Sequence, residues 1–510
     1  MLLKDQNKVI YKTYEDFPHE DLYTYAGLDC ITTSELFSRL WERLNEEPYY
    51  VKFERGQQTK EKLMSVAESM SRYTMPAHDF ICDMEINGIK YDVALNRAIG
   101  AKMVEEVGTL EDRIFTAIGK EIDLDSGKVL AEYLYGEKGF TPPYKTKTGE
   151  PSTDGDALRE LSKSTDIRWL GDIGRRTDIV SVYRTFIRDY VSEHVKRDGR
   201  IHPSYNLNGT SSFRITGDNP NLTQLPREKH GYNVRQCFTV DRGNAFLAFD
   251  FSSAEVKVLG ALCRDPKLLQ AIIEGKDFHS FSAAAMYNID YDEFIAILKD
   301  EAHPQHKDYK LKRQNAKALT FGILYGSTAR GVAFNMGITE EQAQQLIDMY
   351  FKTYPLIEAY VKDAHNMALL NQFVVSPFAQ RKWQFGTRKE FKYTAVFNAC
   401  KRNAQNVLIQ NTASSLGLFC FTNLNTEIKK LGGKTLCTVY DSVEIEVPIE
   451  KAAEAAKLAF YYMNEYPQEV FDWLDFPIGV EGEVGFNWGD LHVIEPGVTQ
   501  NHINQLLGIN

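Results

Sequence analysis

The chain has 510 residues, enough to bury several cores, and its 43% hydrophobic and 25% charged content is that of a globular protein. No apolar run approaches the roughly 20 residues of a membrane-spanning helix, the N-terminus lacks a signal-peptide stretch, and the seven cysteines are scattered with no CxxC pair, which excludes a zinc site of that type and predicts reduced, cytoplasmic thiols. The net charge of −11 argues against indiscriminate nucleic-acid binding but leaves room for local basic grooves at Lys307–Lys317, Arg381–Lys392 and Lys401-Arg402, each of which taken alone is most simply a solvated face.

Residues 1–75 read as mostly helical, with helices over Asp29–Leu44 and Thr59–Met70. A turn-prone link at Tyr73–His78 precedes a helix pair broken at Asn87-Gly88. Short helices and a polar loop from Lys145 fill residues 123–205, and Asn206–Pro226 reads as an ordered loop or short strands. Ala245–Asp250 is a strand that leads into a helix capped by Ser252 or Ser253, with Glu255 in its first turn. Residues 266–430 are almost all helical in pattern. Lys434–Tyr440 and Val443–Val447 flank Asp441-Ser442 as a hairpin, followed by a helix over Lys451–Tyr466 and a strand near Gly479–Gly485. Strands, a long helical insertion, then strands again imply an α+β fold with an antiparallel sheet and a helical module projecting from it.

Two features carry chemistry. In a helix, Arg313, Lys317, Phe321 and Tyr325 stand four apart and form one stripe about 18 Å long, with two cations followed by two rings. Such a stripe suits a nucleoside triphosphate, phosphates on the cations and base on the rings; it equally suits an amphipathic helix with a solvated basic end. Asp250 ends a strongly apolar strand and Asp441 sits at a hairpin tip. Two carboxylates brought together repel unless a cation lies between them, and hard oxygen ligands suit magnesium bound jointly with substrate phosphates. Asp441 alone could be only a turn residue.

Three segments in order resemble the catalytic motifs of family A DNA polymerases. Phe246–Leu259, with Asp250 and Glu255, resembles D-Y-S-Q-I-E-L-R; Arg313–Gly326 resembles R-x3-K-x3-[FY]-G-x2-Y-G; Val439-Tyr440-Asp441-Ser442 resembles V-H-D-E. Further matches are Phe213–Pro226 to T-G-R-L-S-S-x-x-P-N-L-Q-N-I-P, Asp277–Ser280 to D-I-H-T, and Arg402–Ala413 to R-x3-N-x3-Q-G-T-A. The resemblance runs from about residue 78 to 492.

What the resemblance implies is a right-hand polymerase. It has an antiparallel palm sheet, helical fingers inserted in the palm, a helical thumb and a small N-terminal exonuclease-domain remnant. The expected divisions are 1–75 for the remnant, 76–205 thumb, 206–265 and 401–492 palm, 266–400 fingers, and 493–510 a C-terminal tail. Asp250 and Asp441 would ligate two Mg2+ ions with the backbone carbonyl of Phe251. His279, Arg313 and Lys317 would hold the triphosphate, Lys317 as a catalytic cation. Phe321 would pack on the incoming dNTP, Tyr325 would border the template base, and Glu255 would exclude a 2′-hydroxyl. Arg214, Arg402, Asn406, Gln410 and Tyr440 would contact primer-template DNA.

The chain departs from the pattern. Tyr440 and Ser442 stand where the third motif has His and Glu, and Ser253 and Lys257 replace the first motif's Gln and Arg. The Tyr440-Asp441-Ser442 triplet leans toward single-subunit RNA polymerases, whereas Glu255 and Phe321-Gly322 lean toward DNA. An inactive DNA-binding subunit of a split polymerase is the non-enzymatic alternative, against which the intact Asp250, Asp441, Arg313 and Lys317 argue. Tyr25–Thr33 resembles the final Y-x3-D motif of a 3′–5′ exonuclease, yet no Asp-x-Glu pair precedes it. The expectations are therefore a phage-like enzyme without proofreading, acting in the cytoplasm of a bacterial host. A separate exonuclease polypeptide would dock on residues 1–75.

Overall fold

The computed structural model describes residues 3–4, 10–11, 18–47, 49–146, 149–210, 212–228, 231–383 and 392–509, with backbone alone at 3–4, 10–11 and 381–383. Most of the expected Arg381–Lys392 basic cluster and two residues of the polar loop from Lys145 therefore lie outside the described residues. The chain divides into two compact units, Met1–Pro76 with Val258–Thr412, and Ala77–Lys257 with Ala413–Asn510.

In chain order the elements that matter below are helix α1 (His19–Leu44), strands β1 (Tyr49–Glu54) and β2 (Gln57–Lys62), helix α2 (Met75–Asn87), strand β3 (Ile89–Tyr91), helices α3 (Val93–Ile118) and α4 (Arg168–Phe186), and strands β4 (Arg200–Ile201), β5 (Phe238–Thr239) and β6 (Asn244–Phe251). Helices α5 (Ala254–Cys263), α6 (Phe278–Tyr287), α7 (His306–Leu324), α8 (Pro355–Asn371) and α9 (Thr394–Lys430) follow. The chain closes with strands β7 (Lys434–Val439) and β8 (Ser442–Pro448), helix α10 (Ala452–Phe460), strands β9 (Val480–Asn487) and β10 (Asp490–Ile494), and helix α11 (Gln500–Leu506).

The second unit is built on an eight-stranded sheet ordered β7-β8-β6-β9-β5-β3-β4, with β10 on β9, and every pairing is antiparallel. The central strand β6 reads apolar throughout because both of its faces are covered for most of its length. Leu247 and Phe249 face one way with Val443, Ile445 and Val484, all fully buried, and α10 lies against them, Phe460 meeting Phe249 edge-to-face at 5.5 Å. The opposite face carries Phe246, Ala248 and Asp250. On it Phe246 and Ala248 join a core shared with α3, α4 and Trp488.

The first unit holds α6, α7, α8 and α1. Here the expected helix over Thr59–Met70 is corrected: Gln57–Lys62 is a strand, paired with β1 from Tyr49↔Lys62 to Glu54↔Gln57, and a helix begins only at Val66. The two-residue turn Arg55-Gly56 has φ of +50° and +78°, the left-handed conformation that tight hairpins require. Gln57–Lys62 has no apolar periodicity to favour a helix, and β1 supplies the contacts. Tyr50 joins a core with Ala364, Met367, Ala404 and Leu408. Asn371 clamps β1 from α8, accepting from Val51 N–H at 3.0 Å and donating to the Val51 carbonyl at 2.8 Å. Two further corrections concern the C-terminal stretch: the expected Lys451–Tyr466 helix has a wider turn over Tyr461–Glu465, and the expected tail contains α11, whose Ile503 is fully buried.

Candidate active site

Asp250 lies at the end of β6, opposite Ser442 of β8 on one side and Glu481 of β9 on the other. The β7–β8 hairpin turns through Tyr440-Asp441, and Tyr440 takes φ +59°, an uncommon conformation for a bulky residue and a point of stored strain. Phe251 N–H donates to the Asp441 carbonyl at 3.2 Å, and Ser252 N–H to the Gly479 carbonyl at 3.0 Å. These two bonds join the end of β6 to both neighbouring strands, so Asp250 and Asp441 share one rim. Burial first, and the Asp441 charge second, push the Asp250 carboxyl up to about 6. Burial also raises Asp441, with Arg214 opposing. Both line an open cleft of about 870 Å³ with Ser442, Glu444, Glu481 and Arg227.

Arg214 and Glu255 form an ion pair next to this rim, the Glu255 side chain being nearly buried in the first turn of α5. The Arg214 guanidinium lies 5.9 Å from the centre of the Tyr440 ring. The ring of Phe251 packs on Phe421 with centroids 5.9 Å apart, which fixes the peptide whose carbonyl was singled out as a ligand.

The other predicted residues belong to the first unit. Arg313 stands on α7, where its Nε and Nη2 donate to the two carboxylate oxygens of Asp277 at 2.9 and 3.0 Å. Asp277 also caps α6, accepting from Ser280 N–H at 2.9 Å. Burial raises the Asp277 carboxyl, but the Arg313 and Ser280 bonds outweigh it and bring the group down to about 2. Burial, with Arg313 and Lys317 nearby, lowers His279 to about 4, so its imidazole is neutral at pH 7 and its Nδ1 has no partner among the described residues. The His279 ring lies 5.7 Å from Phe321, and Phe321 stacks on Tyr325 at 6.0 Å and 23°. Lys317 is exposed on the same helix. The stripe thus forms as its spacing implies, except that Tyr325 is the residue that ends α7 rather than a member of it. At Gly326, φ is +70° and an added Cβ would meet Arg402 Cα at 2.9 Å, so glycine is needed for α9 to approach. Asn406 and Gln410 follow Arg402 at four-residue steps along α9.

Sequence reasoning missed three residues of these surroundings. Asp277 was visible as part of a motif but not as the carboxylate that orients Arg313. Gln405 donates to the Ile323 carbonyl at the end of α7 and accepts from His365 at 2.7 Å. Glu444 is buried in the cleft wall, where burial pushes its carboxyl up to about 7. The period-two pattern Ser442, Glu444, Glu446 was the available signal for it.

The family model for DNA polymerase family A matches residues 94–490. The chain belongs to the family A DNA polymerases. It is 29% identical over 495 residues to DNA polymerase I of Chloroflexus aurantiacus, an alignment covering 95% of this chain and 48% of that protein. With thermostable DNA polymerase I of Thermus aquaticus it shares 28% identity over 466 residues, 91% of this chain and 51% of that one. The chain thus spans about half the length of the curated relatives it matches. The POL domain of Pol1 from M. smegmatis, in complex with DNA primer-template and dNTP, superposes with a TM-score of 0.69 at 26% identity, covering 83% of this chain and 71% of that one. The fold is that of the right-hand polymerases. No helix among the described residues is long and apolar enough to cross a membrane.

Proposed function

We propose that this chain is a template-directed DNA polymerase that adds dNTPs to a primer 3′ end. The 3′ oxygen forms a bond to the α-phosphorus while the bond to the bridging oxygen breaks and pyrophosphate leaves. The observation that carries this reading is the pair Asp250 and Asp441, held on one rim by the bond from Phe251 N–H to the Asp441 carbonyl.

The donor set fits magnesium. Two half-buried carboxylates on one rim, with the Asp441 charge raising the Asp250 carboxyl, suit a hard cation sharing its shell with phosphates. Asp250, Asp441 and the Phe251 carbonyl would hold two Mg2+ ions, which when bound activate the attacking hydroxyl and stabilise the leaving oxygen.

The chain's own groups do the rest. Arg313, oriented by Asp277, and Lys317 take the β- and γ-phosphates, and Lys317 neutralises charge that grows on the departing pyrophosphate. His279, neutral at pH 7, donates one hydrogen bond to a phosphate oxygen. Phe321 and Tyr325 offer stacked faces to the incoming nucleotide and template base. Glu255 crowds a 2′-hydroxyl. Arg214, Arg402, Asn406, Gln410 and Tyr440 grip primer-template DNA, whose minor groove allows pair shape to be tested without sequence being read.

On this reading residues 76–205 are the thumb, 206–265 and 401–492 the palm, and 266–400 the fingers. Residues 1–75, where Tyr25–Thr33 resembles the last exonuclease motif, offer a docking face for a separate exonuclease polypeptide in the bacterial cytoplasm. The supporting feature is α1, which has no buried residue and exposes Tyr23, Ile31 and Phe37 by 70%, 60% and 59%. The test of the reading is extension of a primed template with dNTPs, with NTPs, and with dNTPs plus a chelator. Extension with dNTPs alone is expected; equal use of NTPs contradicts the role of Glu255. Removal of a mismatched 3′ end by the chain on its own contradicts the need for a separate exonuclease polypeptide.

A further inference from the structure

Three polar residues of β8 share one face, because Ser442, Glu444 and Glu446 alternate with Val443, Ile445 and Val447. Only two are acidic, since the third motif's Glu has become Ser442. Glu446 is fully committed: Arg200 pairs with it at 2.5 Å, Asp241 N–H donates to it at 2.9 Å and Asn244 at 2.7 Å. Glu444 is bound differently. It is 2% exposed and accepts from Ser442 Oγ at 2.8 Å and from Cys437 Sγ at 3.4 Å.

Its place in the sheet is specific. Glu444 lies opposite Ala248 and Cys437, while Ser442 lies opposite Asp250. Glu444, Ser442, Asp250 and Asp441 line the same cleft. Glu444 has no salt-bridge partner within 4 Å among the described residues, and the more distant Arg235 charge offsets only part of the cost of its burial, so packing alone would favour a small apolar residue beside Ala248 and Cys437.

We propose that Glu444, acting through the Ser442 hydroxyl, supplies the carboxylate missing from position 442 and serves as a positioning residue for the metal-binding rim. Ser442 Oγ also lies 3.2 Å from the Val439 carbonyl, but the shorter bond, to the Glu444 carboxylate, takes its one proton and leaves the hydroxyl oxygen as an acceptor on the face it shares with Asp250. Glu444 meets Ser442 rather than Asp250 or Asp441, which places it one layer behind the ligands. The proposal rests on the polymerase reading above.

The test is Mn2+ titration of the full chain by electron paramagnetic resonance, without DNA or nucleotide, alongside primer extension at varied Mg2+. Glu444→Gln and Ser442→Ala are each expected to weaken Mn2+ binding by about 10-fold, the lower end of what loss of an outer-shell partner costs. Combined, they should cost no more than either alone, as members of one relay do. Ser442→Glu placed in the Glu444→Gln background should restore affinity to within about threefold, and with it the Mg2+ dependence of extension. Melting curves identify any variant that fails to fold, and Ser442→Ala, which removes only a hydroxyl, then carries the test. Unchanged Mn2+ affinity in both single variants, additive losses, or no rescue by Ser442→Glu overturns the proposal. If wild-type chain binds Mn2+ in this pattern but extends no primer, the polymerase reading fails and the relay stands.

Discussion

Arg214 donates to the nearly buried Glu255, so a residue expected to grip DNA is also the counter-ion of the residue expected to select the sugar. Removing Arg214 strips the nearly buried Glu255 of this guanidinium partner. Arg214→Ala should cost about 2–3 kcal/mol in chemical denaturation, and Arg214→Ala with Glu255→Gln should recover most of it. Glu255→Ala should raise NTP use relative to dNTP by about 10- to 100-fold, the range that one pocket contact commands. Competition assays with both nucleotides check this.

Asp250 gives a pH signature in the metal-free protein. Its carboxyl is raised to about 6 in the fold, above its ordinary value. The protonated form is therefore favoured by folding; the contribution is complete below about pH 4 and is lost as pH rises through 6. Asp250→Asn should raise the melting temperature at pH 7.5 and leave it nearly unchanged at pH 4. Added Mg2+ at pH 7.5 should stabilise the wild type but not the variant. Thermal melts at the two pH values, with and without Mg2+, check both.

The two-pronged contact from Arg313 to Asp277 holds the guanidinium in one orientation before any ligand arrives. Asp277→Asn weakens that hold while keeping shape. KM for dNTP should rise by roughly 3- to 10-fold with a smaller change in kcat, because the loss falls on binding. Steady-state kinetics on a primed template separate the two constants.

Gly326→Ala should destabilise the chain by about 1–3 kcal/mol. Its φ of +70° disfavours a side chain, and the new methyl would press on Arg402 Cα and Cγ at 2.9 and 2.7 Å. Denaturation midpoints measure the cost.

The site was legible where chemistry and periodicity coincide. Asp250 after an apolar strand, Asp441 in a turn, and the Arg313–Tyr325 stripe each fall where their spacing requires. What the sequence hid was tertiary. The β1–β2 hairpin gains its stability from α8 through Tyr50 and Asn371, contacts more than three hundred residues away that no local pattern records. Gln405 looks like any polar helix residue until its amide is seen bonded to the end of α7. Glu444 reads as one more residue of an alternating strand until its carboxylate is seen bonded to the Ser442 hydroxyl on the same face.

The most direct measurement is primer extension by Asp441→Ala beside a primer-template binding assay on the same preparation. The account predicts a loss of extension on the order of 100- to 1,000-fold or more, with DNA affinity within about twofold of wild type, since it assigns Asp441 to metal rather than to phosphate. Extension at the wild-type rate by a folded, DNA-bound Asp441→Ala chain would contradict it.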